Sequence, residues 1–149
     1  MSANILAALH PESVQNLIIW GSAAYVAKHD VETWEKIRGI NNLNQEMREK
    51  WENIYGDSMQ NLWSRWIDSV KDTYEKRNGD LCMEEVKLVQ CPTLIVHGAK
   101  DAVCPQFHAD YLKENIRGSE LVVMEEGKHF LHLKYAQKFN QLTEQFLLK

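Results

Sequence analysis

Cysteine is scarce in this chain: Cys82, Cys91 and Cys104 are the only three in 149 residues. An odd number, at spacings that no metal site uses, in a chain too long to need covalent staples, excludes a disulfide framework and implies a reducing compartment, cytoplasmic or mitochondrial. Long apolar runs are also lacking. Nothing approaches the ~20 residues that cross a bilayer, and the N-terminus has no basic start of a secretory leader, so no membrane partner is expected. The 17 basic residues stand against 21 acidic ones for a net charge of −4 and are scattered along the chain. Without a basic stripe to track phosphates, nucleic acid is not an expected partner either. No internal repeat or low-complexity segment is present.

What the chain does have is 44% hydrophobic residues, enough at this length for one core that buries roughly 70% of the unfolded surface. Ser2 to Leu9 reads as a helix rich in Ala and Leu, stopped by His10-Pro11 because the residue before proline is driven out of helical geometry. Three short apolar runs follow: Leu17-Ile18-Ile19-Trp20, Thr93-Leu94-Ile95-Val96 and Leu121-Val122-Val123-Met124. Each leads toward a glycine, as strands of a covered parallel sheet do. Phe107, Tyr111, Leu112 and Ile116 share one helical face before the stop at Gly118, which makes a βαβ unit with a right-handed crossover. Leu131, Tyr135, Phe139, Leu142 and Phe146 mark a last helix packed back on the sheet.

Between Tyr25 and Leu88 the chain is charged, helical in period and free of strand runs, and it holds four of the five tryptophans, Trp34, Trp51, Trp63 and Trp66. Breaks near Asn41-Asn42, Gly56-Asp57 and Asn78-Gly79-Asp80 divide it into three or four amphipathic helices. A helical insertion between two strands of a sheet reads as a lid. Its tryptophans either line an acyl pocket or hold small helical layers together.

Asp101, in Val96-His97-Gly98-Ala99-Lys100-Asp101, and His129, in Glu126-Gly127-Lys128-His129, both fall at the carboxyl ends of strands, where parallel sheets place their chemistry. The 28 residues between them are enough for one helix and one strand. A carboxylate there can hold one imidazole nitrogen while the other takes a proton from a serine. The plain alternative, in which Asp101 caps a helix and His129 is a solvated loop residue, is outweighed by the pair coming in order after two buried strands. A Gly-x-Ser-x-Gly elbow, the turn that carries such a serine, is absent from the 149 residues. Gly56-Asp57-Ser58-Met59-Gln60 has half the pattern but no preceding strand, and Ser22 reads as a residue at the lid entry. Cys104 has no base aimed at it and reads as a small packed residue. His129 and His132, with Cys104 or His108, complete no zinc spacing.

Three further stretches carry a resemblance: Leu17-Ile18-Ile19-Trp20-Gly21-Ser22-Ala23-Ala24-Tyr25-Val26, then Val89-Gln90-Cys91-Pro92-Thr93 running on to Asp101 and Pro105-Gln106-Phe107-His108-Ala109-Asp110, then Glu126-Gly127-Lys128-His129-Phe130-Leu131-His132-Leu133. On these residues the chain resembles the valacyclovir hydrolase, or biphenyl hydrolase-like, branch of the α/β-hydrolases over nearly its whole length. The resemblance implies an α/β fold class, the C-terminal part of an α/β-hydrolase: residues 1–24 and 89–149 as a partial core of three parallel strands with flanking helices, and residues 25–88 as an all-helical lid insertion. It implies a serine esterase acting on small-molecule α-amino acid esters through an acyl-enzyme, with Asp101 and His129 as catalytic acid and base and no metal or organic cofactor. In the family the elbow would lie a few residues before Met1, together with the second oxyanion donor and an acidic residue that receives the substrate's amino group. Met1 is then expected to be internal, and the chain, as the C-terminal half, inactive alone. The alternative is a non-catalytic truncated product that self-associates through its exposed sheet edge.

Overall fold

A short run of consecutive apolar residues suits a strand covered on both faces, and Thr93–Gly98 (β2) is such a strand, all six of its residues being buried in the computed structural model, which describes residues 2–149. Leu17–Trp20 (β1) and Glu120–Met124 (β3) lie on either side, both parallel to it, in the order β1-β2-β3. Leu17 stands opposite Thr93 and Trp20 opposite Val96, while Leu94 stands opposite Glu120 and Gly98 opposite Met124. The central strand therefore continues two residues past its apolar run, because His97 and Gly98 still pair with Val123 and Met124. The flanking strands are less covered than their composition suggests, Trp20 being 39% and Val123 36% exposed.

Alternation along the strands sends Leu17, Ile19 and Ile95 to one face. There they meet Ala7 and Ala8 of α1 (Ser2–Leu9), Ala109 and Leu112 of α5 (Gln106–Asn115), and Val86. Leu94, Val96 and Met124 point the other way, against Leu131 of α6 (Leu131–Lys134) and Phe139 and Phe146 of α7 (Ala136–Leu147). The single last helix expected from the periodicity is thus two. Tyr135 breaks it, with φ −119° and ψ 42°, and its hydroxyl donates to the Glu126 carbonyl at 3.1 Å, tying the break to the loop that follows β3.

The described residues form two compact units, one running to Tyr25 and resuming over Leu81–Lys149, the other spanning Val26–Asp80. The helical unit ends earlier than the expected limit at residue 88. Cys82 and Val86 are fully buried in the core beside the sheet, and the N–H groups of Leu81 and Cys82 both donate to the Ala24 carbonyl. Charged neighbours hide these few apolar residues from a reading by periodicity.

Within Val26–Asp80 three helices follow: α2 (Lys28–Lys36), α3 (Gln45–Tyr55) and α4 (Met59–Arg77). Their breaks fall at the 3-10 turns Ile40–Asn42 and Gly56–Ser58 and at Asn78, which takes a left-handed conformation. Asn44 caps α3 by accepting from Met47 N–H at 2.9 Å. Trp34 meets Trp66 edge to face with ring centroids 4.7 Å apart, and Trp63 Nε1 donates to the Ile37 carbonyl at 2.8 Å. Trp34, Trp63 and Trp66 therefore hold this small helical layer together.

Candidate active site

Two loops carry the candidate residues, and glycine lets them touch. A Cβ on Gly98 would lie 2.5 Å from the Gly127 carbonyl carbon, and one on Gly127 would lie 2.9 Å from Gly98 Cα. The bare backbones interlock. Ala99 N–H donates to Met124 O at 3.0 Å and Lys100 N–H to Gly127 O at 2.9 Å, and Lys100 forms an ion pair with Glu126 across the same gap. Asp101 and His129 stand just beyond this lock, one past β2 and the other past β3.

Their side chains meet, with His129 Nδ1 2.9 Å from Asp101 Oδ2. The Asp101 side chain is fully buried, whereas that of His129 keeps 26% of its surface exposed. The other carboxylate oxygen, Oδ1, accepts from Val103 N–H at 2.8 Å and Cys104 N–H at 2.9 Å. Asp101 thus holds the backbone of the following turn with one oxygen and meets the imidazole with the other, and it does not cap α5, whose N-cap is Pro105. Burial pushes its carboxyl pKa up, but the hydrogen bond to His129 and the two backbone donors outweigh that and leave it below the ordinary carboxylate value. A carboxylate that stays charged in such a place fixes the imidazole with its proton on Nδ1 and Nε2 facing outward.

Gly21, the residue after β1, completes the corner. A Cβ there would sit 2.8 Å from His129 Cε1 and 2.9 Å from Nδ1, and its φ of +50° suits glycine. The sequence had marked Gly21 only as the end of a strand. A glycine at the carboxyl end of a parallel strand was the available signal, because close backbone approach needs such a residue. His97, also buried, lies near Asp101, Asp110, His108 and His129; burial lowers its pKa, with the two aspartates acting in the opposite sense.

The side chains of the remaining candidates make other contacts. Cys104 Sγ donates to the Ser22 carbonyl at 3.3 Å, so the thiol is packed against the chain after β1. Ser58 lies in the turn between α3 and α4, with no strand before it. His132 packs with Trp20 and Phe139, its ring centroid 4.9 Å from that of Trp20 and 6.1 Å from that of Phe139. Among the described residues no cluster of three or more His, Cys, Asp or Glu could hold a metal ion. All three cysteines are buried.

No protein-family model matches the chain. Among curated proteins it is 40% identical over 148 residues to Serine hydrolase BPHL of Mus musculus and 39% identical over 148 residues to that of Homo sapiens, in each case matching 99% of this chain and 51% of the relative. The chain spans about half the length of these relatives. Among solved structures, the meta-cleavage product hydrolase of Pseudomonas fluorescens IP01 superposes with a TM-score of 0.69 at 22% identity, over 97% of this chain and 60% of that one. Fold and relatives together define a class: the chain has the fold of the C-terminal part of an α/β-hydrolase. Within it, the chain resembles the C-terminal half of the valacyclovir hydrolase, or biphenyl hydrolase-like, branch.

Proposed function

We propose that this chain supplies the acid and the base of a serine hydrolase acting on small-molecule esters, with the nucleophile on a Gly-x-Ser-x-Gly elbow outside these 149 residues. Asp101 holds Nδ1–H and balances the imidazolium that forms. His129 Nε2 accepts the serine proton during attack and returns it to the leaving alcohol. The observation that carries this reading is the 2.9 Å contact between Nδ1 and Oδ2 at the carboxyl ends of two adjacent parallel strands. The resemblance to the valacyclovir hydrolase branch supports an α-amino acid ester as the substrate.

The test joins this chain in frame behind the part of the mouse relative that it does not match and follows hydrolysis of an amino acid ester. By analogy with other triads, Asp101→Asn should lower kcat on the order of 10⁴-fold and His129→Ala on the order of 10⁶-fold. Full activity in either variant would refute the assignment. The open side of β1 favours a second reading, a non-catalytic module that self-associates, which predicts a concentration-dependent rise in mass by sedimentation of the chain alone.

A further inference from the structure

β3 is an outer strand of the sheet, with no partner on its far side among the described residues. Met124 O accepts from Ala99 N–H at 3.0 Å, so Met124 faces β2, and by the alternation of strand backbones Val122 and Glu120 face it too. The backbone groups of Leu121 and Val123 therefore point outward. Lysine and proline commonly guard natural sheet edges, and Leu121-Val122-Val123-Met124 has neither. Beside this edge a groove of about 280 Å³ opens toward α7, lined by Val123, Met124, Glu125, Tyr135 and Lys138 among others. At the other end of β3 the last residues of α7 stand out into solvent: Leu147 and Leu148 are exposed, Leu148 by 79%, and Lys149 Nζ holds the Glu120 carboxylate at 2.6 Å. Charge is divided between the same two ends. Arg117, ahead of β3, and Glu125, just past it, are both exposed and have no ion pair among the described residues.

We propose that this edge pairs with the same edge of a second copy of the chain, forming a two-fold dimer with an antiparallel junction between the two β3 strands. The inference is independent of the triad reading and uses the edge opposite the open side of β1. A two-fold axis at Val122 sets Leu121 opposite Val123 of the second copy, and the two residues exchange their N–H and C=O groups across the junction. Other registers serve less well. An axis at Leu121 would call on Ser119, whose N–H already goes to the Ile116 carbonyl at 3.2 Å, and an axis at Val123 would set Glu120 against Glu126 of the second copy. With the axis at Val122, Glu120 falls opposite Met124 of the second copy, so the end of α7 that Lys149 ties to Glu120 arrives at the second copy's groove. Leu148 gains apolar cover there, and Lys138 in the groove wall meets the incoming Glu120 carboxylate. Arg117 comes within reach of Glu125 of the second copy, and symmetry makes that contact twice. These charges favour a copy of this chain over an unrelated strand, because a free cation and a free carboxylate at opposite ends of one edge complement each other when that edge meets itself antiparallel.

The experiment follows the mass of the full chain by sedimentation over a concentration series into the millimolar range and reads amide exchange at both sheet edges. Ile18 and Trp20 report on the outer side of β1, because Leu17 N–H goes to the Pro92 carbonyl and the outward positions alternate with it. The expected result is a monomer that gives way to a dimer as concentration rises, with the Leu121 and Val123 amides slowed in the dimer and those of Ile18 and Trp20 unchanged. Arg117→Glu and Glu125→Arg should each weaken the dimer roughly tenfold, since each turns two attractions into repulsions, and the double variant should restore it. Val123→Pro removes an outward N–H that β2 does not use, so it should abolish the dimer while the far-ultraviolet circular dichroism of the chain is kept. The surface charge variants give the answer even if that variant misfolds. A chain that stays monomeric throughout the series would overturn the proposal. So would a dimer that protects Ile18 and Trp20 while Leu121 and Val123 exchange as in the monomer, or a double variant no tighter than the single ones.

Discussion

Asp101 divides its carboxylate between two tasks, and that division predicts how the fold responds to acid. Its pKa is held below the unfolded value of about 3.9, so it contributes stability that is present above that value and lost as pH falls through the lower folded value. His97 is lowered too, by burial, so its contribution declines from about pH 6.5 downward as the unfolded chain takes up a proton that the buried ring refuses. Urea midpoints measured against pH should therefore fall in two stages. His97→Gln should remove the upper stage, and Asp101→Asn should diminish the lower, to which Glu12, Glu35 and Glu126 also contribute, since an asparagine oxygen can still accept from Val103 and Cys104 N–H. An upper stage unchanged in His97→Gln or a lower stage undiminished in Asp101→Asn would disprove the assignment. Gly21 is the other sensitive residue: alanine there adds a strain of about 1–2 kcal/mol at positive φ and drives a methyl into the imidazole. Gly21→Ala should lower unfolding stability by at least that amount and lengthen the distance between His129 and Asp101 in a crystal structure.

At the scale of elements, the site depends on the loops after β2 and β3 lying backbone against backbone. Gly98→Ala would place a methyl 2.5 Å from the Gly127 carbonyl group, and a peptide cannot step aside as a flexible side chain can. Overpacking of this kind costs roughly 1–3 kcal/mol, and the upper end is expected here. Chemical denaturation checks the stability, and loss of the His129 to Asp101 contact checks the geometry. A substitution without effect on either would mean that the loops are held by the Lys100 to Glu126 ion pair and the Tyr135 hydroxyl instead.

For the molecule as a whole, the proposed acid and base without an elbow serine among these 149 residues predict no turnover. Ester hydrolysis by the isolated chain is expected to equal that of its His129→Ala variant, because a triad acts as a unit and removing its serine leaves only the weak residual effects of binding and oxyanion donors. Fluorophosphonate treatment followed by mass spectrometry is the sharper check. Stoichiometric labelling of Ser22 or Ser58 in the isolated chain would overturn the prediction.

The order of elements was legible in the residues because burial sets period and composition together: the run Thr93-Leu94-Ile95-Val96, short, β-branched and bounded by Pro92 and Gly98, suits a covered strand, and Asp101 and His129 after successive strands of a parallel sheet must fall at the same sheet edge. Other features depended on atoms distant in sequence and left no periodic trace. Residues 81–88 look like the charged helices before them, and only the packing of Cys82 and Val86 beside the sheet assigns them to the core. The break at Tyr135 keeps the apolar spacing on both sides, so a backbone turn there was invisible to it. Above all, the lean of the imidazole toward Gly21 follows from the approach of three separate loops. The sequence by itself determined which residues could form the pair and on which strands they stand, because local period and chain order decide that. Only the tertiary structure decided which way the pair faces, because the direction of a side chain is set by the contacts that enclose it.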